Sequence, residues 1–527
     1  MTSAKAGGEH RDTFTRNSGF IFAAIGSAVG LGNIWRFPGV AYESGGGAFL
    51  IPYLVALLTA GIPILFLDYA VGHRFRGTAP LSFRRIKKPV ESLGWFQTGL
   101  LFVIGVYYAA VIAWALSYFF FSFKQSWGED TATFFIEDYL KADEPGVSTT
   151  LVGGVAIPLV VVWLAVLVVL ALGVAKGIEK VNIVFIPLLF VAFAALVIRA
   201  VTLPGAAEGL NALFTPHWDA LTDLDVWIAA YSQIFFSLSI AFGIMIAYAS
   251  FQRRKANMTS SGLVVAFANS SFEILAGIGV FSALGFFAYQ QQIAVGELEG
   301  LTGPSLSFIT FPAVISEMPG SAFFGALFFG SLVIAGFTSL ISLMIGVSSA
   351  IQDKWGLSRR TAAVSVSLVC GLISIALFST TSGLFTLDTV DNYANNIGVV
   401  TSAILMSVIL IWVLRRGDML RRHLNAVSTF KLGKIWLGLV GVVAPVFLII
   451  MLVQRAYSVI VDGYEGYPTW YTTTFGWGSV ILVSVAAVLL TLPSWKGRDD
   501  PDTFLPWPPL PEDVRGSGPH ERKETVR

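Results

Sequence analysis

Gly26-Ser27-Ala28-Val29-Gly30-Leu31-Gly32-Asn33 is the stretch whose reading decides the fold. It lies inside an apolar run long enough to cross a membrane, yet Gly26, Gly30 and Gly32 fall close together and an amide, Asn33, follows at once. Glycine disfavours a helix interior by about 1 kcal/mol relative to alanine. In hydrocarbon, an unpaired backbone N–H or C=O costs several kcal/mol. Two readings follow. Either the helix is continuous and Gly26-x-x-x-Gly30 is a close-packing pair, or the helix breaks and its bared carbonyls face a ligand.

The rest of the chain supplies the context. Its 527 residues are 55% hydrophobic and 13% charged, with a mean hydropathy of +0.72. A soluble chain of this size carries roughly twice that charge. The sequence therefore reads as an all-α polytopic membrane protein, with the lipid bilayer as one partner and no nucleic-acid partner. Apolar runs of about 20 residues predict twelve spans, near 17–41, 48–72, 94–125, 151–174, 180–203, 225–251, 262–290, 321–353, 361–380, 390–414, 435–455 and 472–494. Residues 1–16 are polar and carry no apolar signal core, so the first span is expected to serve as the insertion signal.

Loop charges orient these spans. Arg74, Arg76, Arg84, Arg85, Lys87 and Lys88 follow the second, and Arg253, Arg254, Lys255, Lys354, Arg359, Arg360, Arg415 and Arg416 occupy later loops of the same side. The alternate loops carry Glu129, Asp130, Glu137, Asp138, Glu297 and Glu299. The positive-inside rule then predicts a multi-pass protein of the plasma (inner) membrane with both termini cytoplasmic. Residues 495–527, rich in proline and charge, read as a disordered cytoplasmic tail.

Enzymatic chemistry has little to work with. His10, His73, His217, His423 and His520 fall in predicted loops or tails, and Cys370 is the only cysteine. The polar groups at membrane depth are mostly neutral oxygens. The sixth span repeats the oddity of the first: Ser237, Ser239 and Gly243 interrupt it. Interrupted helices at corresponding positions of two halves point to a transporter's central site. The eighth span holds Ala335, Thr338 and Ser339, and the seventh holds Asn269 and Glu273 on one face. Such oxygens suit a hard monovalent cation. Hydroxyls in membrane helices also bond back to their own helix, so Thr338 and Ser339 taken alone have a structural reading too. Arg36 is harder to explain structurally, because charge at depth is costly.

The run from Gly26 through Asn33, Ile34, Trp35, Arg36, Phe37 and Pro38, followed by Glu43-Ser44-Gly45-Gly46-Gly47-Ala48-Phe49, resembles the neurotransmitter:sodium symporter family, in its bacterial amino-acid branch. The resemblance implies a 5+5 inverted repeat with broken first and sixth helices. Residues 17–203 and 225–414 would be the two five-helix repeats, 435–494 helices 11 and 12, and 1–16 an N-terminal tail contributing to an inner gate. The implied activity is sodium-coupled symport of an apolar, zwitterionic amino acid, with two sodium sites and no enzymatic step. One sodium would be held by Ala28, Asn33, Ser237 and Asn269, and a second by Gly26, Val29, Ala335, Thr338 and Ser339. Substrate would meet Ala28, Leu31, Gly32, Tyr108, Phe236 and Ser237 with its backbone groups, and Ser27, Ile104, Ser239, Phe242, Ser339 and Leu343 with its side chain. Arg36 and Asp391 resemble an outer gate pair, and Arg11 and Asp353 an inner one.

Three positions qualify the resemblance. Gly30 stands where amine-transporting relatives carry an Asp, which favours a substrate bringing its own carboxylate. Glu273 stands where chloride-dependent relatives carry a Ser, so a fixed carboxylate replaces the anion and transport is expected to be chloride-independent. Phe14 departs from a usual Trp near the inner gate.

Overall fold

The computed structural model describes residues 13–298, 301, 303–496, 504 and 506–509. Helices dominate, and among the described residues the only β pairings are isolated bridges at Gly46–Pro216 and Leu151–Thr380. Ten helices are long and apolar enough to cross a membrane: Gly47–Phe75, Lys88–Phe121, Gly153–Gly173, Lys176–Val201, Met258–Gln291, Ser321–Trp355, Arg359–Phe378, Gly383–Val413, Ile435–Val461 and Thr469–Leu489. An eleventh is the bent pair Asn17–Ala28 and Leu31–Glu43. The remaining predicted span, 225–251, is split into Leu224–Ser237 and Ile244–Ser250, each too short to cross alone. The spans are numbered here in this chain order. The third and eighth pack along each other at the centre, whereas the apolar stretch of the twelfth is only 22% buried and lies at the periphery.

The first span breaks at Val29–Gly30 and bends by 55°. Hydrogen bonding explains how. The Gly30 N–H donates to Asn33 Oδ1 at 2.8 Å and the Leu31 N–H to the Tyr108 hydroxyl at 3.2 Å. In a continuous helix those two donors would serve the carbonyls four residues earlier, at Gly26 and Ser27. Both carbonyls are thereby freed. Ser339 Oγ reaches them at 3.2 and 3.3 Å, and Ser239 Oγ donates to the Ser27 carbonyl at 3.0 Å. Close packing is also present: a Cβ on Gly26 would lie 2.1 Å from Asn182 Oδ1 of the fifth span. The helix is thus broken and not continuous, and of the first reading only the close packing at Gly26 remains.

The sixth span breaks between Leu238 and Gly243, where Ser239, Ala241 and Gly243 take positive φ values of 52°, 65° and 99°. The left-handed region costs a non-glycine residue roughly 1–2 kcal/mol. The Ala241 peptide is correspondingly well held. Its N–H donates to Asp68 Oδ2 at 2.8 Å, and its carbonyl accepts from Gln97 Nε2 at 3.0 Å and Ser402 Oγ at 2.5 Å. Second, third and tenth spans thus converge on the backbone of one residue.

Several expected boundaries move. The tenth span begins at Gly383, not near 390, because several of its polar residues find partners within the protein. Asp388 accepts from Tyr464 and Tyr467 hydroxyls at 2.9 and 3.1 Å, and Asn392 Oδ1 accepts from Arg455. His73, expected in a loop, lies in the last turn of the second span, buried and 3.0 Å from His423 of the helix Gly417–Val427. Arg11 and most of the expected 495–527 tail lie outside the described residues.

The Asp68 contact yields a direct test. Asp68→Ala leaves the Ala241 N–H without its acceptor and should cut substrate uptake at least tenfold while the protein still reaches the membrane. Asp68→Asn keeps an acceptor oxygen and should retain several times more activity. Uptake normalised to surface-labelled protein checks both.

Candidate functional site

The two breaks, the third span and the eighth span enclose a cavity of about 820 Å³. Its walls include Ser27, Ala28, Leu31, Gly32, Ile104, Tyr108, Phe236, Ser237, Ser239, Phe242, Ser339 and Leu343, the whole set expected from sequence to meet a substrate. It extends past Arg36, Tyr107 and Asp391 to Tyr464, Glu465 and Tyr467 in the loop between the eleventh and twelfth spans.

Beside the cavity runs a chain of amides and hydroxyls. Asn33 Nδ2 donates to Asn269 Oδ1 at 2.9 Å, and Asn269 Nδ2 donates to Ser237 Oγ at 3.0 Å. First, seventh and sixth spans are joined by side chains that are all 2% exposed or less. One turn further along the seventh span, Glu273 accepts from Gln233 Nε2 at 2.6 Å and is hydrogen-bonded to the Tyr53 hydroxyl, which also lies 2.8 Å from Ser270 Oγ. No ion pair reaches Glu273 among the described residues. Its carboxyl group is held by the neutral side chains of Gln233 and Tyr53.

On the other side of the first-span break, Ala335, Thr338 and Ser339 face the freed carbonyls. Thr338 Oγ1 donates within its own helix, to the carbonyls of Ile334 and Ala335 at 3.1 and 3.0 Å. The back-bonding expected of a structural threonine is therefore present. It uses the hydroxyl proton only and leaves the oxygen lone pairs available. Ser339 instead bonds across to Gly26. Gly26, Val29, Ala335, Thr338 and Ser339 are all buried and offer only neutral oxygens, and Ser339 links the two helices through the Gly26 carbonyl. That chemistry fits sodium, a hard cation of single charge, and does not fit a divalent ion, which favours carboxylates.

Two glycines sit close against the wall. A Cβ on Gly32 would lie 2.1 Å from the Phe236 ring, and one on Gly30 would lie 3.0 Å from both Ser339 Oγ and Tyr108 Oη.

The two faces differ. Arg36 donates to Ser232 Oγ at 3.0 Å and lies over the Phe236 ring at 4.7 Å, while Asp391 accepts from Tyr107 at 2.6 Å and Asn395 at 2.9 Å. The expected outer pair thus lines one cavity, each partner held by neutral groups, and no ion pair joins them. At the opposite face, Phe14 is 1% exposed and packs edge-on against Phe20 and Tyr248. Its N–H donates to the Phe251 carbonyl at 3.1 Å, and Tyr248 Oη donates to Ser342 at 2.7 Å. Asp353 accepts from the Thr78 N–H and hydroxyl at 3.0 and 2.7 Å. The cavity is open toward the acidic-loop face and shut toward the basic-loop face.

Sequence reasoning missed Asp68, Gln97 and Ser402 at the sixth-span break, and Tyr53 and Gln233 around Glu273. A signal existed for Asp68. It is the one carboxylate in the predicted 48–72 span, and a lone charge at that depth demands a purpose.

Known proteins resemble this chain in sequence. The sodium:neurotransmitter symporter family model matches residues 11–142 and 126–496. An uncharacterized sodium-dependent transporter of Methanocaldococcus jannaschii is 40% identical over 494 residues, covering 92% of this chain and 99% of that protein. The sodium-dependent serotonin transporter of Drosophila melanogaster is 28% identical, covering 89% and 80% of the two chains. The human sodium- and chloride-dependent neutral and basic amino acid transporter B(0+) is 28% identical, covering 77% and 73%. On the broken first span, the helical membrane architecture and a family match reaching from residue 11 to residue 496, this chain belongs to the sodium:neurotransmitter symporter family, whose members are transporters and not enzymes.

Proposed function

We propose that the protein carries an apolar, zwitterionic α-amino acid together with two sodium ions, without chloride, by alternating access between two five-span halves, 17–203 and 225–414. The basic-loop face is cytoplasmic in this reading, both termini lie inside, and the membrane is the plasma (inner) membrane.

The observation that carries the substrate class is Gly30. At the first-span break the Gly30 and Leu31 N–H groups are taken by Asn33 and Tyr108, the Asn33–Asn269–Ser237 chain presents neutral groups, and the residues expected to meet substrate include no carboxylate, Asp391 and the other acidic residues of the cavity wall not being among them. A substrate amine would find only carbonyls and the Tyr108 region, so a substrate carboxylate is needed to complete the charge balance beside a sodium ion. Ala28, Asn33, Ser237 and Asn269 would hold that ion. Gly26, Val29, Ala335, Thr338 and Ser339 would hold the other. Ile104, Phe242 and Leu343 supply the apolar wall for the side chain. Arg36 with Asp391, and Arg11 with Asp353, would be the pairs that seal the two faces in turn.

Energetics make this arrangement productive. Two sodium ions and a zwitterion carry a net charge of about +2, and each charge crossing 100 mV gives about 2.3 kcal/mol. The resulting ~4.6 kcal/mol supports roughly a thousandfold substrate gradient at about 1.4 kcal/mol per decade. Coupling requires that substrate bind poorly without sodium, and the shared carboxylate–sodium contact supplies that linkage in both directions.

A thermal-shift screen of the common amino acids in Na⁺ and in K⁺ tests the assignment. Small to medium apolar amino acids should raise the melting temperature in Na⁺ only; equal stabilisation in K⁺ would end the symport reading. Asn33→Ala and Asn269→Ala should each weaken sodium and substrate together by tenfold or more, read by titrating each ligand at saturation of the other. Glu273→Ser removes the internal anion, and sodium-driven uptake by that variant should become chloride-dependent while the parent's stays insensitive to chloride replacement by gluconate.

A further inference from the structure

Two histidines that the transport site does not use meet at the shut face. His73, in the last turn of the second span, is 1% exposed, and His423, on the helix Gly417–Val427 between the tenth and eleventh spans, is 0% exposed. His73 Nδ1 lies 3.0 Å from His423 Nε2, and His73 Nε2 lies 2.9 Å from the Arg253 carbonyl oxygen. A carbonyl only accepts, so His73 carries its proton on Nε2 and accepts at Nδ1. His423 then donates from Nε2. Both rings are neutral in this arrangement, and one acceptor is left over: His423 Nδ1 is buried and has no hydrogen-bond partner.

The pair sits where three segments meet. Arg253 belongs to the connection between the sixth and seventh spans, and that connection receives the chain entering the first span. The Phe14 N–H donates to the Phe251 carbonyl at 3.1 Å, Gln252 Nε2 donates to Asn17 Oδ1 at 2.9 Å, and the Arg253 guanidinium donates to the Thr15 carbonyl. The far end of the same connection is held by residues just after the His423 helix. There the Met258 N–H donates to Ser428 Oγ at 3.1 Å and Asn257 Nδ2 to Thr429 Oγ1 at 2.8 Å. His73 and His423 thus join the two supports of the connection on which Phe14 closes.

An added proton has no good place here. On His73 Nδ1 it would face the N–H of His423 and end the bond between the rings. On His423 Nδ1 it would make a buried cation; burial, with His73, Arg74 and Arg76 beside it, holds this ring well below the usual histidine range. The other charges on the packed segments are Arg253 in the connection, Arg421 and Arg422 on the helix itself, and Lys431 and Lys434 after it. Asp418 is already paired with Arg421 at 2.7 Å and Arg422 at 3.1 Å. Asp68 of the second span and Glu273 of the seventh accept from the Ala241 N–H and from Gln233. We propose that the His73–His423 pair is a proton-operated latch: neutral, it keeps the connection between the sixth and seventh spans seated and the basic-loop face shut; protonated, it lets go. A histidine released into water takes its proton near pH 6.5. The latch is therefore fully effective above about pH 6.5 and weakens as the pH falls below it, because the released form binds the proton more tightly. In the orientation proposed above, the carrier senses acid in the cytoplasm.

Thiol labelling tests the latch without any substrate, and so stands apart from the amino-acid assignment. Cys370 is the only cysteine, and Cys370→Ser with Ser250→Cys leaves one reporter, at a fully buried position at the end of Ile244–Ser250 on the closed face. Purified protein in Na⁺ is labelled with a charged thiol reagent. Each rate is divided by that of the same protein unfolded in denaturant at the same pH, which removes the thiol's own ionisation. From about pH 7.5 to about pH 5.5 this ratio should rise about tenfold in the parent, the change expected for one proton taken up near pH 6.5. His423→Gln keeps a donor for His73 and has no ring to titrate, so its ratio should change less than about twofold over the same range. Should His423→Gln fail to run as a monodisperse protein, His423→Asn, which also cannot titrate, takes its place with the same expectation. A flat profile in the parent, or a rise as large in the variant as in the parent, would overturn the latch.

Discussion

The hydrogen bond from the Gly30 N–H to the Asn33 side chain is the contact on which the other features of the site depend. A membrane helix can open only if every group it bares is taken up again. By diverting one donor to its own amide, and the next to Tyr108, the first span releases the Gly26 and Ser27 carbonyls at the same depth and toward the same neighbours. The sixth and eighth spans answer with Ser239 and Ser339. Asn33 also passes the constraint onward, because its Nδ2 engages Asn269 and, through it, Ser237. A single amide therefore fixes the break, orients the seventh span and sets the register between the two broken helices. Glycine at 32 leaves room for the Phe236 ring, and glycine at 30 lies close against Tyr108 and Ser339.

The sixth-span break is achieved by different means. The first span opens by side-chain substitution for a backbone partner. The sixth opens by adopting left-handed geometry at two non-glycine residues and having the Ala241 peptide gripped from outside. The first break is local, written in eight consecutive residues. The second is non-local, and its supports lie on three spans far apart in sequence. Strain of this kind persists only where surrounding structure over-determines it, which is the case at Ala241.

That difference decides what could be read from the sequence. Gly26 to Asn33 is legible because cause and effect sit together, and the helical architecture is legible because apolar run length is a strong signal in lipid. The cavity lining was legible residue by residue through the family resemblance. Asp68, Gln97 and Ser402 were not, because each is an ordinary polar residue in its own span and acquires meaning only where three spans meet. The tenth span was misplaced by several residues for a related reason. Asp388, Asp391 and Asn392 look like a helix terminus until Tyr464, Tyr467, Tyr107 and Arg455 supply their partners.

The two faces of the cavity are governed by different physics, and this has a consequence for how a carrier can cycle. On the acidic-loop side, Arg36 and Asp391 are held apart by Ser232, Tyr107 and Asn395, all neutral groups that can be exchanged for another neutral group or for an opposite charge with modest net change. On the basic-loop side, closure rests on a buried Phe14 between two aromatic rings and on a dry Glu91–Lys354 pair. Opening there exposes apolar surface and rehydrates charges together, so the cost of opening is concentrated on that face. In the proposed reading, sodium at the first-span break would draw the freed carbonyls of one broken helix toward the hydroxyls of the eighth span, and the eighth span ends at Asp353 and Lys354. Ion binding at the centre and closure at the basic-loop face are therefore two ends of one helix, and a rigid helix is sufficient to connect them.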